Sequence, residues 1–130
     1  FEDCSVFNDL FEEAGGDWGA TFEAFSKKRF PEAEAIRELA LRNYIEMRDK
    51  TADPMFLLQK KIEKRFSQLH PELWTPLYSQ VTFSHIPYDT ALANGEVQDQ
   101  IMKAVMDRPD IHDVWESDEM EKAILKAIGR

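Results

Sequence analysis

The sequence has a single cysteine, Cys4, among its 130 residues, and a lone thiol cannot close an internal disulfide. Nothing in it demands an oxidising compartment, and Cys4 reads as a small helix residue. Histidine is scarce as well. His70, His85 and His112 stand far apart, with no metal-ligand partner at helical or CxxC-like spacing, so no metal site is assigned. Ser84-His85 is only a neighbouring pair, and adjacency does not make a nucleophile and its base, so no catalytic residue is assigned either. The five glycines, Gly15, Gly16, Gly19, Gly95 and Gly129, form no GxGxxG turn after a strand, which leaves no cofactor-binding residue to name. Positive charge is in the minority, with 16 Lys and Arg against 25 Asp and Glu. A net charge of −9 and a pI near 4.8 argue against nucleic acid, because phosphate binding needs a basic face. No apolar run approaches the ~18–20 residues that cross a bilayer, and the opening residues do not resemble a secretory signal, so a soluble protein without a membrane anchor is expected.

What remains is a chain of single-domain size in which 43% of residues are hydrophobic. Apolar residues recur mainly at helical spacing. A first helix is expected from about Glu2 to Ala14, with Val6, Phe7, Leu10 and Phe11 on one face and Gly15-Gly16 as its stop. Asp17 can cap a second that turns Trp18, Phe22 and Phe25 inward and ends in Lys27-Lys28-Arg29. Pro31 suits the first turn of a long helix to about Lys50. Asp53-Pro54 opens another, carrying Met55, Leu58, Ile62, Phe66 and Leu69, and Pro71 stops it. Between Pro71 and Pro87 the pattern changes, and Val81-Thr82-Phe83 alternates as an extended segment would. A helix from Asp89 or Thr90 should be interrupted near Asn94-Gly95 and resume through Val97, Ile101, Ala104 and Val105. Beyond Pro109, Ser117 is a plausible N-cap for a stripe of Met120, Ala123, Ile124 and Ala127. The expected fold class is all-α, five to seven helices with one irregular or short extended segment near residues 79–84.

One position breaks the pattern. At helical spacing Ile36, Leu39, Ala40, Asn43 and Met47 share a face, and Asn43 is its polar member. A buried amide without partners costs roughly 1–3 kcal/mol, so Asn43 needs either neighbouring backbone, a trapped water or a ligand. Taken alone, Tyr78 reads as a half-buried loop tyrosine and Met47 as plain core.

Several blocks carry a resemblance. Phe1-Glu2-Asp3-Cys4, Phe22-Glu23-Ala24-Phe25-Ser26-Lys27-Lys28-Arg29, Asn43-Tyr44-Ile45-Glu46-Met47-Arg48, Ala52-Asp53-Pro54 and Pro76-Leu77-Tyr78-Ser79-Gln80-Val81-Thr82-Phe83-Ser84 resemble, in order and spacing, the C-terminal part of the kynurenine 3-monooxygenase family of FAD-dependent aromatic hydroxylases. The likeness runs from Phe1 to about Gln100, is densest between Phe22 and Tyr88, and stops before the acidic tail.

The resemblance implies that residues 1–28 close an FAD-binding domain whose glycine-rich segment comes just before Phe1. Residues 29–130 would then form a C-terminal helical domain that covers the substrate. The helix opening at Phe1-Glu2-Asp3 would point its N-terminus at the flavin ring. The implied parent enzyme uses FAD, NADPH and dioxygen to hydroxylate L-kynurenine, a step of tryptophan degradation toward pyridine nucleotide biosynthesis. Asn43 and Tyr78 match the positions that bind the substrate's amino-acid end, and Met47 resembles an apolar wall beside its aromatic ring. Neither cofactor is expected to be held by this chain alone. A bacterial, cytoplasmic enzyme is implied, and an exposed apolar face around Leu39, Asn43 and Met47 could make a homodimer. Two other readings stay open: a non-catalytic acidic helical interaction module, or a related flavin hydroxylase of another aromatic acid.

Overall fold

A computed structural model describes residues 1–130 and is all-α. Seven α-helices follow one another: α1 (Glu2–Glu13), α2 (Trp18–Ile45), α3 (Pro54–Leu69), α4 (Leu77–Phe83), α5 (Tyr88–Met106), α6 (Ile111–Val114) and α7 (Asp118–Ile128). A π-helical turn over Glu46–Lys50 prolongs α2. The expected caps form. Asp17 accepts from the Ala20 amide at 3.0 Å, Asp53 from that of Met55 at 2.8 Å and Ser117 from that of Met120 at 3.3 Å. Gly129, at φ +86°, ends α7 in the left-handed conformation that spares glycine a steric penalty.

Three sequence expectations are corrected. Residues 77–83 are helical, not extended, because Leu77, Gln80 and Val81 share one side of α4 at 3–4 spacing and Leu77 packs on Leu39 and Ala91. The apparent alternation ends at Phe83, which is 85% exposed and has no sheet to face. Pro31 lies inside α2 instead of opening a helix. Proline there removes one backbone hydrogen bond and strains the preceding turn, but strong helix formers flank it and Arg29, bound to Glu32 at 2.7 Å, spans the site. Asn94-Gly95 does not interrupt α5. A β-carbon at Gly95 would lie 2.8 Å from Leu77 Cδ2, so the missing side chain lets α4 approach closely.

The main core joins Leu58, Ile62 and Phe66 of α3, Trp74 between α3 and α4, Met102 and Val105 of α5, Ile111 of α6, and Met120 and Ile124 of α7. Met55 and Leu69, at the ends of the α3 stripe, stay partly exposed. The acidic tail is thus an integral wall of the core, and His70 at the end of α3 reaches Glu121 of α7 at 2.9 Å. Leu39, Leu77 and Ala91 form a smaller centre between α2, α4 and α5. At the other end, α1 buries no residue fully. Its Phe7 and Phe11 meet Trp18, Phe22 and Phe25 edge-on or tilted, with Phe7 and Phe25 centroids 5.3 Å apart. Trp18 and Phe22, expected to point inward, are 58% and 56% exposed, since no third element covers their outer sides.

Candidate functional site

The buried face of α2 carries Ala35 and Leu39, then turns polar. Glu46, on the same side, opens the π-helical turn and is only 7% exposed. Helices that widen to π geometry often do so at functional positions. A carboxylate at that depth needs compensation, and Arg42 supplies it one turn earlier, with Nε 3.4 Å from Glu46 Oε1. Arg42 also pairs through Nη2 with Asp99 Oδ2 on α5. From α4, the Tyr78 hydroxyl donates to Glu46 Oε2 at 3.4 Å. Four residues from three helices and a π-turn thereby form one chain of contacts.

The charges act on the phenol. Burial pushes the Tyr78 pKa up to about 12, the Glu46 charge adds to the rise, and Arg42 opposes it. Tyr78 is therefore a neutral hydroxyl donor across the ordinary pH range. Arg42 stays protonated: burial works against its charge, and Asp99 and Glu46 more than restore it. A cavity of about 280 Å³ opens beside this chain, lined by Arg42, Glu46, Lys64, Ser67, Tyr78 and Asp99 among others. A second, of about 540 Å³, shares Arg42, Glu46 and Asp99 and adds Lys50, Phe56 and Lys103. A donor phenol next to an acceptor carboxylate suits a ligand end that carries both a carboxylate and an ammonium.

The three residues singled out from sequence are not brought together. Tyr78 is half-buried and lines the smaller cavity. Asn43 is exposed, and Met47 is 63% exposed; neither lines that cavity. The stripe expected through Asn43 runs instead through Ala35, Leu39 and Glu46, with Arg42 half-buried between them. Leu39 itself is 2% exposed, so the open apolar patch is made by Leu41, Tyr44, Ile45 and Met47 without it. Arg42, Glu46 and Asp99 were missed because periodicity counts apolar residues, and here the inner face continues in paired charges. The available signal was the Arg42/Glu46 spacing of four in register with Leu39.

Fold and site together define an all-α segment with a charged pocket between its helices. No protein-family model matches the chain. It is 52% identical over all 130 residues to a kynurenine 3-monooxygenase of Christiangramia forsetii and 49% identical, again over 130 residues, to one of Flavobacterium johnsoniae. Against a kynurenine 3-monooxygenase of Caenorhabditis elegans the identity is 38% over 106 residues, or 82% of this chain and 23% of that protein. The chain spans about 29% of the length of the first two relatives while matching them along its whole extent. It belongs to the kynurenine 3-monooxygenase family and corresponds to the C-terminal part of its members.

Proposed function

We propose that this chain is the substrate-covering part of an FAD- and NADPH-dependent monooxygenase that converts L-kynurenine to 3-hydroxykynurenine. The observation that carries this reading is 52% identity, without truncation of this chain, to a protein of that name. A free-standing interaction module would have no reason to keep that likeness over all 130 residues. On this reading residues 1–28 belong to the FAD-binding part and 29–130 cover the substrate, with α2 running unbroken across the boundary. Flavin supplies the oxidising chemistry when bound. The residues here do not fit its pyrophosphate: Gly15, Gly16 and Gly129 have positive φ at helix C-termini, and the space beside Gly95 is taken by Leu77.

The chain's own contribution is to hold the substrate's charged end. Tyr78, kept protonated, gives its single proton to Glu46 here and would turn from it to donate to a substrate carboxylate, while Asn43, open on α2 outside the cavity that Tyr78 lines, can donate to a carboxylate or accept from an ammonium. Met47 stands on the same open side as an apolar wall. When the chain is alone, self-association would cover Leu41, Tyr44, Ile45 and Met47. No helix is long and apolar enough to cross a membrane, and the setting proposed is the bacterial cytoplasm.

The test is NADPH oxidation by the full-length polypeptide that contains this chain. Addition of L-kynurenine should accelerate it and yield 3-hydroxykynurenine; no acceleration overturns the reading. Acceleration by a different aromatic amino acid in place of kynurenine would favour a related hydroxylase. Tyr78→Phe and Asn43→Ala should each weaken kynurenine binding roughly 10- to 150-fold at constant flavin content, the range for a hydrogen bond to a charged group. Unchanged affinity in both removes them from the site.

A further inference from the structure

Arg42 divides its guanidinium between two acids. Nε faces Glu46 Oε1 at 3.4 Å, and Nη2 pairs with Asp99 across the gap from α2 to α5. A guanidinium presents its N–H donors in a planar fork, and a carboxylate left alone with it draws the fork onto both oxygens. Asp99 occupies Nη2, the neighbouring prong on the same edge as Nε, and so limits Arg42 to one oxygen of Glu46. The other oxygen, Oε2, is left to accept from the Tyr78 hydroxyl.

We propose that Asp99 is a positioning residue for Tyr78: by holding Arg42 away from Glu46 Oε2, it keeps that oxygen open to the Tyr78 hydroxyl and so fixes where this hydroxyl stands when a ligand arrives. The consequence for substrate rests on the function proposed above; the placement of the hydroxyl does not. The Asp99 side chain is 47% exposed, and an exposed ion pair by itself adds little stability. Its effect is directional. Arg42 and Glu46 have side chains only 22% and 10% exposed, so once Asp99 is gone the guanidinium is kept beside Glu46, where its fork can close on both oxygens. Asp99, Arg42 and Glu46 also border both cavities, so a shift of the fork changes the wall against which a ligand would lie.

The experiment uses the full-length protein labelled with 3-fluorotyrosine. The Tyr78 fluorine resonance, identified by its loss in Tyr78→Phe, should move in Asp99→Ala and return toward the wild-type position in Asp99→Glu, which restores the acid. In turnover assays Asp99→Ala should raise the KM for L-kynurenine about five- to tenfold, yet less than about twofold when Tyr78→Phe is already present. An acid that merely stiffened the fold would act equally in both backgrounds. An unmoved resonance, or equal KM effects with and without Tyr78, overturns the proposal. A resonance that moves in a wild-type background showing no kynurenine-dependent turnover would support the positioning role and sink the substrate assignment instead.

Discussion

The two ends of this chain solve the burial problem differently. Around α3, α5 and α7, Ile62, Met102 and Ile124 are each 1% exposed and Phe66 and Met120 are 2% exposed. Around α1 and the start of α2, no α1 residue is fully buried, and Trp18, Phe22 and Phe30 are 58%, 56% and 67% exposed. One end is closed by its own helices; the other holds together through ring contacts and the ion pairs of Arg29 with Asp3 and Glu32. The charged site lies between them, on the inner face of α2 where the dry core gives way. A segment that finished its own core everywhere would have no open side to present to a ligand or to more protein.

The contrast can be broken most sharply from the closed end. Ile62→Ala should lower stability by about 2–5 kcal/mol in urea denaturation, because the cavity it leaves has no route to collapse. A loss under about 1 kcal/mol would mean the core is looser than its burial implies. Gly95→Ala comes next, at about 1–3 kcal/mol, since the new methyl meets Leu77 inside a packed centre. Leu77→Ala in the same chain should recover part of that loss, and a failure to recover would locate the strain elsewhere.

At the open end, Arg29→Gln should accelerate amide exchange in α1 while leaving exchange in α3 and α7 unchanged. Equal acceleration in all three helices would show that the two ends unfold as one unit. The smallest effect concerns pH. The Tyr78 pKa lies above that of a free phenol, so its contribution to stability is complete below about pH 10 and is lost as pH rises toward 12. The tyrosinate absorbance of wild type minus Tyr78→Phe should show an ionisation completed only beyond that of free tyrosine; a difference titrating near 10 would place the hydroxyl in solvent.

Much of the fold was legible because its signals are local. Asp17, Asp53 and Ser117 cap the helices they were expected to cap, and the α3 and α7 stripes meet in the core. Where the reading failed, contacts between distant residues decided the outcome. Three residues of alternation at Val81 lost to the docking of Leu77, and a helix-weakening glycine at 95 was kept for an approach that only the packed structure reveals. Tyr78 was singled out through the resemblance, and it is half-buried as its residue-level reading had it, but on helix α4 and not in a loop. Glu46 and Arg42 were hidden because acids and bases normally mark the outside of a helix, whereas here each makes the other tolerable indoors.

Gly95 has a reach beyond its own contact. It acts as a spacing gauge: with only a hydrogen where a methyl would stand, the distance between α4 and α5 is set by Leu77 resting on bare backbone. Tyr78 is the next residue along α4, and Asp99 lies one turn further along α5. The two groups that meet through Arg42 and Glu46 are therefore mounted on either side of a single gauge. A shift of a few tenths of an ångström there would be transmitted to a 3.4 Å hydrogen bond that has little length to spare. Precision at the charged site is thus borrowed from a residue that has no side chain to lend.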